Sequence, residues 1–128
     1  MPINAIRVHS IYGEMDLPDT SPQVVPLIVD GETLSEVPVP EGRLIISDAF
    51  FNRGFIYWSI EVNRGRGYSP LATFGFVLST PIHTEVKNFS TGIVIEGGPG
   101  VFFRVRATAV GATPIPEANL TLRAYTES

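Results

Sequence analysis

The chain has 128 residues, enough for one ordinary domain with a real hydrophobic core, and it has no cysteine, so no disulfide can staple it. Charged residues make up 17% of it and the net charge is −4, against about 25% charged in an average soluble protein. That balance argues against sequence-independent nucleic-acid binding, which depends on a basic stripe. It also leaves a surface short of charge, which an oligomer or a larger assembly would cover, or which a well-packed β-domain would fill with Ser, Thr and Asn.

The charges are unevenly spread. Positions 1–48 hold eight acids against Arg7 and Arg43, whereas positions 49–128 hold seven basic residues against five acids. Such halves can pair between copies or within one domain. Eight of the nine basic residues are Arg, whose planar fork suits hydrogen-bonded contacts better than loose solvation. The opening MPINAIRVHS carries no basic n-region followed by an apolar stretch, and no apolar run reaches the about 18 residues of a membrane span. Neither export nor a membrane location is expected, and the lack of Cys fits assembly in a cytosol.

Residues 3–12, INAIRVHSIY, read as a first strand with Ile6 and Val8 on one side and Arg7 and His9 on the other. From Gly13 to Pro40 regularity fails: five of the eleven prolines fall here (Pro18, Pro22, Pro26, Pro38 and Pro40). Proline cannot donate to a central ladder, which predicts an extended Pro-rich arm over 13–40 lying on the sandwich or on a neighbour. Within it Val24–Val29 reads as a short edge strand ended by the turn signal Asp30-Gly31. The acids of the arm, Asp16 and Asp19 among them, read as partner-contact residues or as a solvated loop.

Regular strands are predicted over 41–126. Arg43–Phe51 is one; Asn52-Arg53-Gly54 turns it; Phe55–Val62 returns, with Ile56, Trp58, Ile60 and Val62 as core and Tyr57 and Glu61 outward. The loop Asn63-Arg64-Gly65-Arg66-Gly67-Tyr68 sets two arginines between glycines beside a tyrosine. Arg64, Arg66 and Tyr68 are suited to a phosphate, a carboxylate, a sugar face or a protein partner, or form a plain loop tip. Leu71–Thr80 is a further strand in which Gly75 marks a bulge or a close sheet contact. Ile82–Asn88 is a short polar strand.

The stretch Phe89–Ala109, FSTGIVIEGGPGVFFRVRATA, reads as two strands joined as a hairpin at Gly97-Gly98-Pro99-Gly100. In its second strand Val101, Phe103, Val105, Ala107 and Ala109 share the core face, while Phe102, Arg104, Arg106 and Thr108 share the other. The glycine cluster lacks a following Lys-Ser/Thr and a helix, so it is a turn and not a phosphate cradle. Asn119–Tyr125 closes the chain with Leu120, Leu122 and Ala124 inward.

No segment shows helical period. About eight strands at roughly ten-residue spacing give an all-β antiparallel sandwich, with a jelly roll the preferred topology over a single domain, 1–128. Chemistry is hard to place on it. His9 and His83 form no paired motif, so no metal is expected. There is no Cys and no Ser in a nucleophile elbow, so no catalytic residue is named and no cofactor is implied. An exposed trio of Tyr57, Tyr68 and Tyr125 is the set available for sugar stacking.

VPVPEGRLIISDAFF (37–51) together with FSTGIVIEGGPGVFFRVRATA and the later LTLRAY resembles a pattern of small jelly-roll proteins of bacteria and tailed bacteriophages. Among these, phage head-decoration (cement) proteins look most similar in size, low charge, lack of Cys and acidic arm. The resemblance implies a non-enzymatic structural protein of the virion, a homotrimer that binds the major capsid protein and stabilises the shell. The alternative expectation is a carbohydrate-binding module or receptor-binding tip.

Overall fold

Period-two alternation becomes two antiparallel sheets in the computed structural model, which describes residues 6–52, 55–75, 84–111 and 114–127. Eleven strands follow in order: β1 (Ile6–Leu17), β2 (Gln23–Val24), β3 (Leu27–Val29), β4 (Glu32–Leu34), β5 (Val37–Pro38), β6 (Arg43–Asn52), β7 (Ile56–Asn63), β8 (Tyr68–Gly75), β9 (Thr84–Glu96), β10 (Phe102–Ala109) and β11 (Ile115–Glu127). One sheet runs β4-β3-β1-β11-β6-β9, and the other runs β2-β10-β7-β8 with β5 also on β10. Most connections cross from one sheet to the other, the habit of a jelly roll.

The core lies between the sheets. Trp58, Phe103, Ile46, Ile60, Leu120 and Leu122 are among its large members and lie almost fully out of water. The alternation read from β7, β10 and β11 holds: Ile56 and Val62, Val105 and Ala107, and Ala124 all face inward. Each buried Ile, Leu or Val side chain contributes about 1.5–3 kcal/mol by leaving water.

Four expectations change. Among the described residues the strand count is eleven and not about eight, because residues 13–40 form no separate arm. β1 runs on to Leu17, and the prolines punctuate four short strands laid along the sheet edges. Val25, Leu27, Val37 and Val39 of this stretch are buried in the common core. Pro26 sits where the chain changes sheets: the Val25 N–H donates to the Val105 carbonyl at 2.9 Å, and Leu27 pairs with Gly13. A residue without an N–H loses no ladder bond at such a crossing.

Second, Phe89–Ala109 is not a hairpin. β9 pairs with β6 and β10 pairs with β7, in opposite sheets. The glycine turn is an arch over the end of the sandwich, stitched to residues 39–42 by Gly97 N–H to the Gly42 carbonyl (2.8 Å) and Val39 N–H to the Val101 carbonyl (2.9 Å). A Cβ at Gly97 would overlap the Pro40 carbonyl oxygen, so the close approach requires glycine. Third, β6 and β7 are likewise in different sheets, so the return after Asn52 is a crossing.

Fourth, Glu61 points to the outer face as expected yet is buried, for a reason described below. At Gly75, φ is +100° and a Cβ would lie 2.5 Å from the Ile56 carbonyl oxygen, the close sheet contact its position predicted. The expected strand residues 3–5, 76–80 and 82–83, the turn residues Arg53 and Gly54, and His83 lie outside the described residues.

Candidate functional site

The outer face of the smaller sheet carries the densest polar chemistry. On β7 and β10 the register sets Glu61 opposite Arg104 and Ser59 opposite Arg106. The Glu61 carboxylate accepts from Arg104 Nε at 2.8 Å on one oxygen and from Arg106 Nε at 3.1 Å and Nη2 at 3.0 Å on the other. Two guanidinium groups bonded to one carboxylate account for Glu61, in an outward position, being 4% exposed. Charge-assisted bonds to both oxygens offset the cost of taking that carboxylate out of water.

Tyr68, at the start of edge strand β8, joins this cluster. The Arg104 guanidinium carbon lies 3.8 Å from its ring centre, a cation–π geometry, and its hydroxyl donates to Glu36. Burial first, and then the bond to Glu36, push the hydroxyl up to about 12. Arg64 and Arg66 stand exposed on the adjoining loop and line, with Val62, Gly67 and Ser69, a cavity of about 360 Å³. One end of this sheet therefore gathers four arginines against Glu61 and Glu36. That arrangement favours an anionic surface, with Arg104 stacked on Tyr68 and Arg106 doubly bonded to Glu61 as a fixed platform, and with Arg64 and Arg66 exposed on the loop beside it.

Arg64, Arg66 and Tyr68 are thus brought together. Asp16 and Asp19 are not: they lie at the opposite end of the sandwich. Asp16 accepts the Glu117 N–H at 2.8 Å beside the irregularity in the β1–β11 register. Asp19 accepts both the backbone N–H (2.9 Å) and the hydroxyl of Ser21, and the hydroxyl bond, then the backbone bond, hold its carboxyl below the usual value. Both carboxylates bond within their own chain, Asp16 across the β1–β11 irregularity and Asp19 in the Asp19–Ser21 turn.

The tyrosine trio is dispersed. Tyr57 and Tyr68 lie near opposite ends of the smaller sheet, facing Gly75 and Asn63 respectively across β7–β8. Tyr125 lies on the outer face of the larger sheet, between Val8 and Ile45. With Arg104 on one face of its ring, Tyr68 offers no open platform on that side.

That outer face of the larger sheet holds what sequence reasoning missed. Register aligns Val8, Tyr125, Ile45 and Val94 in one row across β1, β11, β6 and β9. A second row runs Ile28, Tyr12, Thr121, Phe50 and Val86 across five strands. Val8 is 73% exposed and Val86 57%. Between the rows lies a polar belt in which the Asn88 amide donates to Asp48 at 2.7 Å and Arg123 lies 5.1 Å from the Phe50 ring centre. The signal was present in the outward positions of each strand, but only the strand order assembles them into rows. Among the described residues no group of three or more His, Asp or Glu is placed to hold a metal ion.

No protein-family model matches the chain, and no curated protein matches it. Among solved structures, that of Eiger TNF from S. frugiperda is similar, with a TM-score of 0.55, 12% sequence identity, and coverage of 96% of this chain and 92% of that chain. At that identity the likeness is one of fold: this chain is an all-β, antiparallel sandwich of the jelly-roll kind.

Proposed function

We propose that the chain is a non-enzymatic structural protein of a phage particle, which self-associates as a homotrimer and decorates the capsid as a cement protein. The observation that carries this reading is the pair of apolar rows on the outer face of the larger sheet. Monomers rarely leave large contiguous apolar patches in water, and the low charge content points the same way. In this reading the larger sheet buries its rows against other copies, and the arginine end of the smaller sheet faces the shell protein. Modest contacts by each subunit, joined within one oligomer, then resist shell expansion by multivalency.

The likeness to Eiger TNF supports the sandwich and adds nothing about partners. The carbohydrate-binding alternative draws no support from the geometry, since its three tyrosines occupy two faces. The test is co-sedimentation of the chain with phage heads from a lysate of its source. Wild type is expected with the heads, and Arg64→Glu/Arg66→Glu, on an exposed loop, is expected in the supernatant with an unchanged melting temperature. Wild-type chain absent from the heads would overturn the proposal; heads that retain the double variant would remove the loop from the contact.

A further inference from the structure

A cavity of about 330 Å³ opens between the sheets at the end of the sandwich where β1 begins. It arises because neighbouring edge elements part there. β3 and β4 form a three-residue-per-strand hairpin on the larger sheet, while β5 pairs with β10 on the other. The hairpin turns tightly at Asp30-Gly31, both at positive φ (49° and 80°), the geometry of a two-residue hairpin loop. Ile11, Val37, Leu44 and Phe103 provide apolar walls continuous with the core.

The rim differs from the interior. Asp30 and Glu32 stand at the mouth, and none of the described lining residues is Lys or Arg. The imidazole of His9 completes the wall, with Nδ1 4.0 Å from Asp30 and Nε2 3.3 Å from the Thr126 hydroxyl oxygen. The volume lies at the small end of ligand sites, which run from about 300 to 1,000 Å³ and combine apolar walls with a few placed polar groups.

We propose that this cavity binds small primary ammonium compounds with a hydrocarbon body. The body packs on Phe103, Leu44 and Ile11, and the ammonium sits at the rim between Asp30 and Glu32. A neutral analogue keeps the apolar burial and loses the charge-assisted bonds. An anion of the same size meets two carboxylates. This site is independent of the proposed particle role, since neither the apolar rows nor the arginine end contributes to it.

The probes are phenethylammonium, phenethyl alcohol and phenylacetate, titrated into the intact chain while the Ile11, Val37 and Leu44 methyl resonances are followed. The anionic probe is the charge-reversed control of the same size. Phenethylammonium is expected to shift these methyls at about tenfold lower concentration than the alcohol, with phenylacetate weakest. In Asp30→Asn/Glu32→Gln the ammonium is expected to fall to the level of the alcohol, whose own binding stays unchanged. Equal responses to ammonium and alcohol, preference for phenylacetate, or no methyl shift in the wild-type chain would each overturn the proposal without recourse to any variant.

Discussion

Tyr68 is held at three points: its hydroxyl bonds to Glu36, Arg104 lies on its ring, and packing strips part of its water. Its phenol stays neutral up to about 12 in the folded chain, against 10.0 when unperturbed. Because the folded pKa is the higher, the stability Tyr68 contributes is intact below pH 10.0. It is lost as pH rises toward 12, where the unfolded chain gives up the proton first. An alkaline titration followed by phenolate absorbance should therefore show a last step near pH 12. Tyr68→Phe should remove that step, and Glu36→Gln should move it to lower pH. A wild-type titration completed around the ordinary tyrosine value would contradict this arrangement. Neither Glu36 nor Arg104 was legible as a partner of Tyr68, because they lie 32 and 36 positions away in the chain and meet it only through β5 and β10.

At the scale of the element, the stretch 13–40 separates what proline content reveals from what it hides. The prolines keep the strands among them short: β2, β3, β4 and β5 are two or three residues long, although β3 lies between β4 and β1. They conceal the apolar residues between them, Val25, Leu27, Val37 and Val39, which close the sandwich at its edge. Leu27→Ala should cost about 2–5 kcal/mol in urea unfolding, the range of a buried leucine truncation. An arm resting loosely on the surface would lose less than about 0.5 kcal/mol, and that result would contradict the fold assigned to this segment. The same distinction governs Phe89–Ala109. Alternation fixes which residues of β10 share a face, and all of Phe103, Val105, Ala107 and Ala109 are buried as read. It does not say which strand lies alongside, since a glycine turn can reverse a chain within one sheet or carry it over to the other. The overlap between a Cβ at Gly97 and Pro40 shows that the second outcome is built into the turn.

For the whole molecule, an all-β sandwich was legible because strand period, turn residues and the absence of helical pattern agree. The candidate site was legible only as fragments. Arg64, Arg66 and Tyr68 were visible as a loop, but Glu61 at the centre of the arginine cluster looked like an ordinary outward acid. Asp16 and Asp19, read as contact residues or a solvated loop, also bond within their own chain, Asp16 across the β1–β11 irregularity and Asp19 to Ser21. The apolar rows could not be read at all before the strand order β4-β3-β1-β11-β6-β9 put Val8, Ile45 and Val94 on one line. Those rows are the basis of the proposed self-association, so the mass of the chain in solution tests it.

The most direct measurement is solution mass by light scattering during size exclusion, over a dilution series, for wild type and for Val8→Asp/Val94→Asp. Both valines are exposed in the single chain, so the substitutions spare the core and a retained melting temperature reports intact folding. The account predicts three times the single-chain mass for wild type, stable to dilution, and the single-chain mass for the double variant. A wild-type chain that runs at single-chain mass at every concentration would contradict it.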